Sequence, residues 1–355
     1  MKLFRNISLT ILILTFTSVV FLCAVFNFNV KAVDKNDNKK IEVVIPEGAS
    51  KKDIGKILEE HDLIRNDDFF NIYVKLFNVG DLKASTYYLS RNMDLKKIIE
   101  VLEKGNSYNP EQIIITFKEG INIRKFATIV SEKTIHSYED VLDVLSNDKF
   151  LDELIKKYWF VADDIKNDKI YYSLEGYLFP DTYYFKNNGV SVEDIVYKML
   201  DKMEDVLEPY KEEIKSSKYS VHELLTLASV VEKEGKTKDF SLIATVFYNR
   251  IDKSMELGSC ATAYYGMGMD FNEVGIANGE MMSNDNRYNT YVIKGMPVGP
   301  ISLPSRDAIK AVLNREDNNY LFFLSDNQGK TYFFDTYSEH QQKEKELKQA
   351  GKWYR

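Results

Sequence analysis

Between Asn6 and Val30 the chain carries no charged side chain, and Ile7 to Phe28 is dominated by Ile, Leu, Val and Phe. About 20 apolar residues cross a bilayer as a helix, and lipid offers backbone N–H and C=O groups no partner, so a run of this kind is restricted to a helix. Lys2 and Arg5 precede it and give the positive start of an export signal. Two readings stand: a single-pass anchor at 7–28, and a long signal peptide cut after Val30-Lys31-Ala32. The run exceeds the ~7–15 residues of a signal core, which favours the anchor. Lys31, Lys35, Lys39 and Lys40 follow the run, so positive charge alone does not orient it. Long domains translocate largely regardless of such charge. The short basic tail, 1–6, is therefore expected in the cytoplasm and the body outside the membrane. Leu22 precedes Cys23 where a lipoprotein signal wants a small residue, which argues against a lipid anchor there.

The remainder is long enough for two domains: the chain has 355 residues, 44% of them hydrophobic. A net charge of −7 argues against a nucleic-acid binder, which carries a basic stripe. The two cysteines, Cys23 and Cys260, lie far apart, and a domain of this size needs no structural disulfide. Tyrosines lining a groove would stack on sugar rings, but most of the 23 are expected in cores and sheets.

The pattern is α+β: a transmembrane helix, a small αβ module and a larger mixed catalytic domain. Residues 29–40 are polar and read as a tether. Ile41–Ile45 alternates as a strand, Pro46-Glu47-Gly48 turns, and Ser50 caps a helix bearing Ile54, Ile57 and Leu58. The same order returns at Ile113–Phe117, Glu119-Gly120 and a helix with Phe126, Ile129 and Val130 after Asn122. Thr86–Leu89 reads as a strand and Leu95–Lys104 as a helix. Strand–helix–helix–strand units beside a membrane resemble glycan-binding modules of the LysM type, here 41–107. A second αβ subdomain is expected over 108–190, and the catalytic domain over 191–355. Residues 138–160 and 191–217 read as helical, and Asp239 reads as the cap of a helix with Ile243, Val246, Phe247 and Ile251. After Lys253 loops are expected, then a helix over 305–314, strands Tyr320–Leu324 and Thr331–Phe334, and a charged helix over 339–352.

Leu224, Leu227, Ala228 and Val231 recur at helix spacing, with Ser220 and Glu223 as a capping box and Gly235 as the stop. Glu232 borders that apolar stripe in the last turn, where half-burial and the helix dipole both oppose ionisation, as suits a general acid. The plainer reading pairs it with Lys233 or Lys236. Other chemistries fit poorly. The four histidines are scattered, and His222-Glu223 lacks the second histidine of a zinc helix, so no metal and no cofactor is expected. There is no G-x-S-x-G elbow, and Gly266-Met267-Gly268 lacks the rest of a dinucleotide loop. Carboxylate acid–base chemistry remains, with Glu175, Asp181 and Glu234 beside Glu232.

Six stretches carry a resemblance: Glu175-Gly-Tyr-Leu-Phe-Pro-Asp-Thr-Tyr183, Leu227-Ala-Ser-Val-Val-Glu-Lys-Glu234, Val246-Phe-Tyr-Asn-Arg250, Leu257-Gly-Ser-Cys-Ala-Thr262, Tyr288-Asn-Thr-Tyr291 and Gly295-Met-Pro-Val-Gly-Pro-Ile301. In this order they resemble the MltG/YceG-like family of endolytic murein transglycosylases. Cys260 stands where many relatives have Asp, and Met296-Pro297-Val298 replaces Leu-Pro-Pro. The first departure argues against an indispensable second carboxylate at 260.

The resemblance implies that Glu232 is the catalytic acid and that nascent peptidoglycan is the substrate, cut between N-acetylmuramic acid and N-acetylglucosamine to leave a 1,6-anhydro end. Glu175, Asn249, Arg250, Thr262, Tyr288 and Asn289 are the expected groove residues. Structural roles compete evenly for three of them: Arg250 in an ion pair, Thr262 at a helix cap, Asn289 in a turn. A hydrolase using Glu232 with Glu175, and a non-catalytic glycan-binding scaffold anchored in the membrane, are the alternatives. Expected partners are glycan strands, the bilayer around 7–28 and membrane-bound wall synthases, with no nucleic acid.

Overall fold

The computed structural model describes residues 2–105, 112–269 and 279–353. The boundary expected at 107/108 lies outside the described residues. Two units are distinct, one ending at Gln112 and one beginning at Ile113.

The first unit starts with helix α1 (Lys2–Val30), whose segment Thr10–Val30 has a mean hydropathy of 2.4 and is unburied. Strand β1 (Lys40–Ile45) follows, then α2 (Lys51–Glu60), α3 (Asp67–Leu76), β2 (Ser85–Ser90) and α4 (Leu95–Lys104). β1 and β2 pair antiparallel, with Val43 opposite Tyr87 and Ile41 opposite Leu89. Ser50 and Asp53 form a capping box on α2, Asn66 caps α3 and Asp94 caps α4, so each helix start is written in a short polar side chain. Val43, Ile45, Ile54, Leu58, Phe70, Val74, Ile98 and Leu102 make one core.

The second unit opens with β3 (Ile113–Thr116) and α5 (Ile123–Lys133), continues through α6 (Tyr138–Leu145) and α7 (Asp148–Lys157), and returns as β4 (Thr182–Phe185) antiparallel to β3. Then come α8 (Val192–Leu207), α9 (Lys211–Ser216), α10 (Val221–Glu234), α11 (Phe240–Asp252) and α12 (Cys260–Gly266). A short helix, Gly279–Met282, a helix Arg306–Leu313, the hairpin β5 (Phe322–Ser325) and β6 (Thr331–Phe334), and a closing helix Tyr337–Gln349 complete it. Its core is continuous, drawing Phe117, Phe126, Leu154 and Leu178 from before residue 190 and Met199, Leu227, Val231, Phe247 and Ile309 from after it.

Several elements differ in detail from expectation. Residues 138–160 hold two helices, because Asn147 caps α7 and so ends the run through α6. In 191–217, Pro209 lies in a one-turn 3-10 segment, Glu208–Tyr210, between α8 and α9. Asp239 precedes α11 but does not cap it; its carboxylate accepts instead from the Thr331 hydroxyl at 2.8 Å. The stretch after Lys253 is not all loop, since α12 forms there.

Candidate active site

Helix α10 is the element on which the shared motifs converge. The Ser220 hydroxyl accepts from the Glu223 N–H (3.2 Å) and the Glu223 carboxylate from the Ser220 N–H (2.8 Å), so the capping box is closed. Every residue from Leu224 to Val231 is buried, more than one stripe predicts, because α11, α12 and the helix Arg306–Leu313 all pack on it. Ser229 and His222, two of its buried polar residues, bond to the loop at 298–302, whereas the buried Thr226 hydroxyl has no hydrogen-bond partner among the described residues. Ser229 Oγ donates to Thr226 O (2.7 Å) and accepts from the Ile301 N–H (3.0 Å), while Ser302 Oγ donates to Ser229 O (3.1 Å). His222 bridges the Tyr177 hydroxyl (3.0 Å) and Val298 O (3.1 Å). Gly176, at φ +82°, lies against Pro300, where a Cβ would come within 2.4 Å of the proline ring. The Glu175–Tyr183 and Gly295–Ile301 motifs are therefore packed together because both lean on α10.

Glu232 leaves this core half-buried in the last turn. Its Oε2 accepts from the Ser305 N–H at 2.9 Å, and Ser305 is the N-cap of the helix Arg306–Leu313. The expected ion pair with a neighbouring lysine gives way to another contact: Lys233 Nζ donates to Gly120 O at 3.1 Å. That bond, with Gly120 N–H to Leu303 O (2.8 Å) and Leu303 N–H to Ile121 O (2.6 Å), fixes the Glu119-Gly120 turn beside the acid. Gly120 has φ +71°, and a Cβ there would stand 3.5 Å from Glu232 Cγ. Burial, then the Glu232 charge, then Asp307 push the Glu119 carboxyl up. Two acidic groups thus share one neighbourhood, and sequence reasoning saw Glu119 only as a turn residue. A hollow of about 310 Å³ at the opposite end of α10 is lined by Tyr219, Leu224, Tyr248 and Arg315. Leu224 is eight residues from Glu232, roughly 12 Å along the helix, so that hollow does not contain the acid.

Glu234, two positions on, points to another side of the helix, as i, i+2 neighbours do. Its carboxylate accepts a hydrogen bond from the Ser259 hydroxyl. Burial pushes it up most, against Ser259, Arg250 and the Ala261 N–H, which favour its charge. Gly235 ends α10 in extended backbone, φ −153°, rather than in the left-handed turn common at helix ends. Ile243 of α11 closes on this glycine, and its Cδ1 would have to move, since it would lie 2.3 Å from a Cβ.

The remaining residues expected in a groove make their hydrogen bonds within the fold. Glu175 is 2% exposed, and its Oε2 accepts from the Ile123 N–H at the start of α5 and from the Tyr265 hydroxyl, each at 3.0 Å. Asn249 donates to Asn318 O and Tyr320 O (2.9 Å each) and accepts from Arg315 (2.6 Å). Arg250 donates to Leu321 O (2.6 Å) and Leu257 O (2.7 Å) beneath the Phe322 ring. Thr262 Oγ1 donates to Ser259 O and meets the Thr290 hydroxyl at 2.8 Å. Asn289 donates to the carbonyls of Met282 and Asn284 and accepts from the Tyr291 N–H, all within its own turn. Tyr288 is buried, its hydroxyl accepts from the Tyr171 N–H (3.1 Å), and its ring lies 4.8 Å from those of Tyr171 and Tyr265. Tyr171 is the exposed face of that cluster. Asp181 sits apart in a surface pair with Lys202 (3.3 Å). Cys23 and Cys260 are both free, and Cys260 Sγ meets the Tyr291 hydroxyl at 3.1 Å. Among the described residues no cluster of histidine, cysteine and acids is arranged to hold a metal.

The pattern of the YceG-like family matches residues 43–346, which takes in both units. The chain belongs to the YceG-like family. An endolytic murein transglycosylase of Bacillus subtilis (strain 168) is 36% identical over 310 residues, 87% of this chain and 85% of the relative. One from Streptococcus pneumoniae serotype 2 (strain D39) is 34% identical over 322 residues; the match again covers 87% of this chain but only 58% of that longer relative. The crystal structure of a yceG-like protein, lmo1499 of Listeria monocytogenes, aligns with a TM-score of 0.61 at 36% identity, over 86% of this chain and 99% of its own.

Proposed function

We propose that this chain is an endolytic murein transglycosylase, with Glu232 as its general acid. The observation that carries the reading is the placement of the Glu232 carboxyl at the half-open end of a buried helix, fixed by the Ser305 N–H. Glu232 protonates the oxygen bridging N-acetylmuramic acid and N-acetylglucosamine as an oxocarbenium-like centre develops. The carboxylate so formed is stabilised by the Ser305 N–H at the start of a helix. It then takes the proton of the muramyl C6 hydroxyl, whose oxygen closes the 1,6-anhydro ring. The hydroxyl is intramolecular and already near the anomeric carbon, so no water and no protein nucleophile is required. Glu119, the nearest second acid, contributes negative charge opposite the developing cation.

Tyr171, with Tyr265 and Tyr288 behind it, serves as a stacking platform for a sugar ring. Asn249, Arg250, Thr262 and Asn289 act indirectly, by holding the loops that form the walls. Glu175 does the same through α5 and Tyr265, and these bonds support a positioning role rather than that of the base or nucleophile of a hydrolase. The β1–α2–α3–β2 order supports a LysM-like role for 41–107, and α1 a single-pass anchor with the catalytic unit outside the membrane, where nascent strands and wall synthases meet it.

Digestion of uncross-linked glycan strands, with mass spectrometry of the products, tests this directly. Ends one water lighter than the reducing sugar are expected. Water-added ends would replace the transglycosylase by a hydrolase, and strand binding without any fragments would leave a scaffold.

A further inference from the structure

Helix α3 has two apolar sides. Phe70 and Val74 are buried in the core of the first unit, whereas Ile72, Leu76 and the following Phe77 are 48%, 67% and 57% exposed. With the half-buried Phe69 and Tyr73, they recur at i, i+3, i+4, i+7 and i+8, which is a single continuous stripe. Lone exposed apolar residues are ordinary; a contiguous stripe on a soluble module is not.

The stripe begins at the end of α1. Phe26 stacks with Tyr73 (ring centroids 6.4 Å apart, planes within 6°), lies 6.3 Å from Phe69, and Tyr73 in turn lies 4.4 Å from Phe77. Arg65 pins the two helices together: its guanidinium donates to the carbonyls of Phe28, Lys31, Ala32 and Val33 and lies 4.5 Å over the Phe28 ring. The next residue, Asn66, caps α3. Phe26 is four residues before the end of the apolar run, about 6 Å down the helix axis. A bilayer crossed by α1 therefore has its surface at the level where the stripe starts.

The geometry points to α3 as an interfacial membrane-binding helix that lays Ile72, Leu76 and Phe77 into the boundary between headgroups and acyl chains; this rests on α1 being a retained anchor. The occupant is lipid rather than a second copy, because the stripe continues the same apolar surface that the anchor must bury in lipid. Aromatic rings concentrate at that boundary, and the exposed Lys75 reaches headgroup phosphates from it. Docked in this way, the first unit is held against the membrane surface by α3 as well as through the Arg65 contacts to the end of α1.

The test uses the full chain, one copy per phospholipid nanodisc, in a Cys23→Ser/Cys260→Ser background. A polarity-sensitive fluorophore is placed by Phe16→Cys, Ile72→Cys, Leu76→Cys or Lys96→Cys, and quenched by lipids carrying a nitroxide on the acyl chain. Circular dichroism in the same discs checks folding. Quenching at 72 and 76 several-fold above that at 96, together with quenching at 16, is expected. Quenching at 16 while 72 and 76 behave like 96 overturns the docking and leaves the anchor standing. No quenching at 16 overturns the anchor and the docking with it. Protection of 72 and 76 from aqueous iodide without quenching by lipid assigns the face to protein contact and also overturns the proposal.

Discussion

Ser305 meets Glu232 with its backbone N–H at 2.9 Å while its hydroxyl accepts from the Ala308 N–H at 3.2 Å. One residue therefore starts a helix and holds the acid, through different atoms. Its φ of −70° is one that proline adopts, so the two tasks can be separated by substitution.

Ser305→Ala keeps the N–H and loses only the cap, at a cost of about 1 kcal/mol in stability. Ser305→Pro loses both. Its turnover on glycan strands is expected to fall a further ~10-fold or more, the worth of a hydrogen bond to a charged group. Steady-state rates and melting temperatures of the two variants side by side provide the check. Equal rates in both would mean that the N–H contributes nothing to the reaction.

Glu232→Gln keeps the shape and a hydrogen-bonding oxygen but cannot give up a proton. Turnover is expected to drop by roughly 10²–10⁴, the usual contribution of a positioned general acid, with the melting temperature little changed. Unaltered anhydro-product formation in this variant would remove Glu232 from the mechanism.

Helix α10 and its capping box were legible because local pattern determines them: apolar spacing, Ser220 and Glu223 all lie within one short stretch. Strands β1, β2, β3, β5 and β6 were visible as short apolar or aromatic runs, whereas β4 was not read as a strand, because its partner β3 lies about 70 residues upstream. What was not legible depends on distant partners. Glu119 reads as a turn residue until the Leu303 and Lys233 contacts bring its turn beside Glu232. Asp239 looks like a cap until β6 offers it the Thr331 hydroxyl. Gly235 looks like a left-handed helix stop, whereas its backbone is extended and the side chain of Ile243 from the next helix packs against it. The two E-G turns, with Gly48 at φ +79° and Gly120 at +71°, were the one local signal that could have marked Glu119.

Asn249 separates wall-building from substrate contact. Asn249→Ala removes two donated bonds and the acceptor of Arg315 in a buried setting. A loss of about 1–3 kcal/mol in stability is expected, because the carbonyls of Asn318 and Tyr320 are left without that donor. KM for glycan strands should change little at temperatures where the variant is folded. Chemical denaturation and kinetics on the same preparation test this, and a KM rise without a stability loss would return Asn249 to the groove.

Glu234 supplies a pH dependence of definite sign. Burial raises its folded pKa above that of the unfolded chain, where glutamate titrates near ~4.3. The folded state therefore holds the proton longer. The stabilisation from the neutral form is complete below ~4.3 and is lost as pH rises through the raised folded value. Glu119 shifts in the same direction, so the slope for the native chain contains both groups. Glu234→Gln cannot ionise, and its melting temperature is expected to decline less between about pH 4 and pH 8 than that of the native chain. Ser259→Ala removes the hydroxyl that favours the charged form. That variant should hold the proton to still higher pH, so its stability declines from the same starting pH but over a wider range and by more in total. Thermal melts of the three proteins across this range decide the matter: identical slopes would show that the Glu234 carboxyl ionises alike in the folded and unfolded chains.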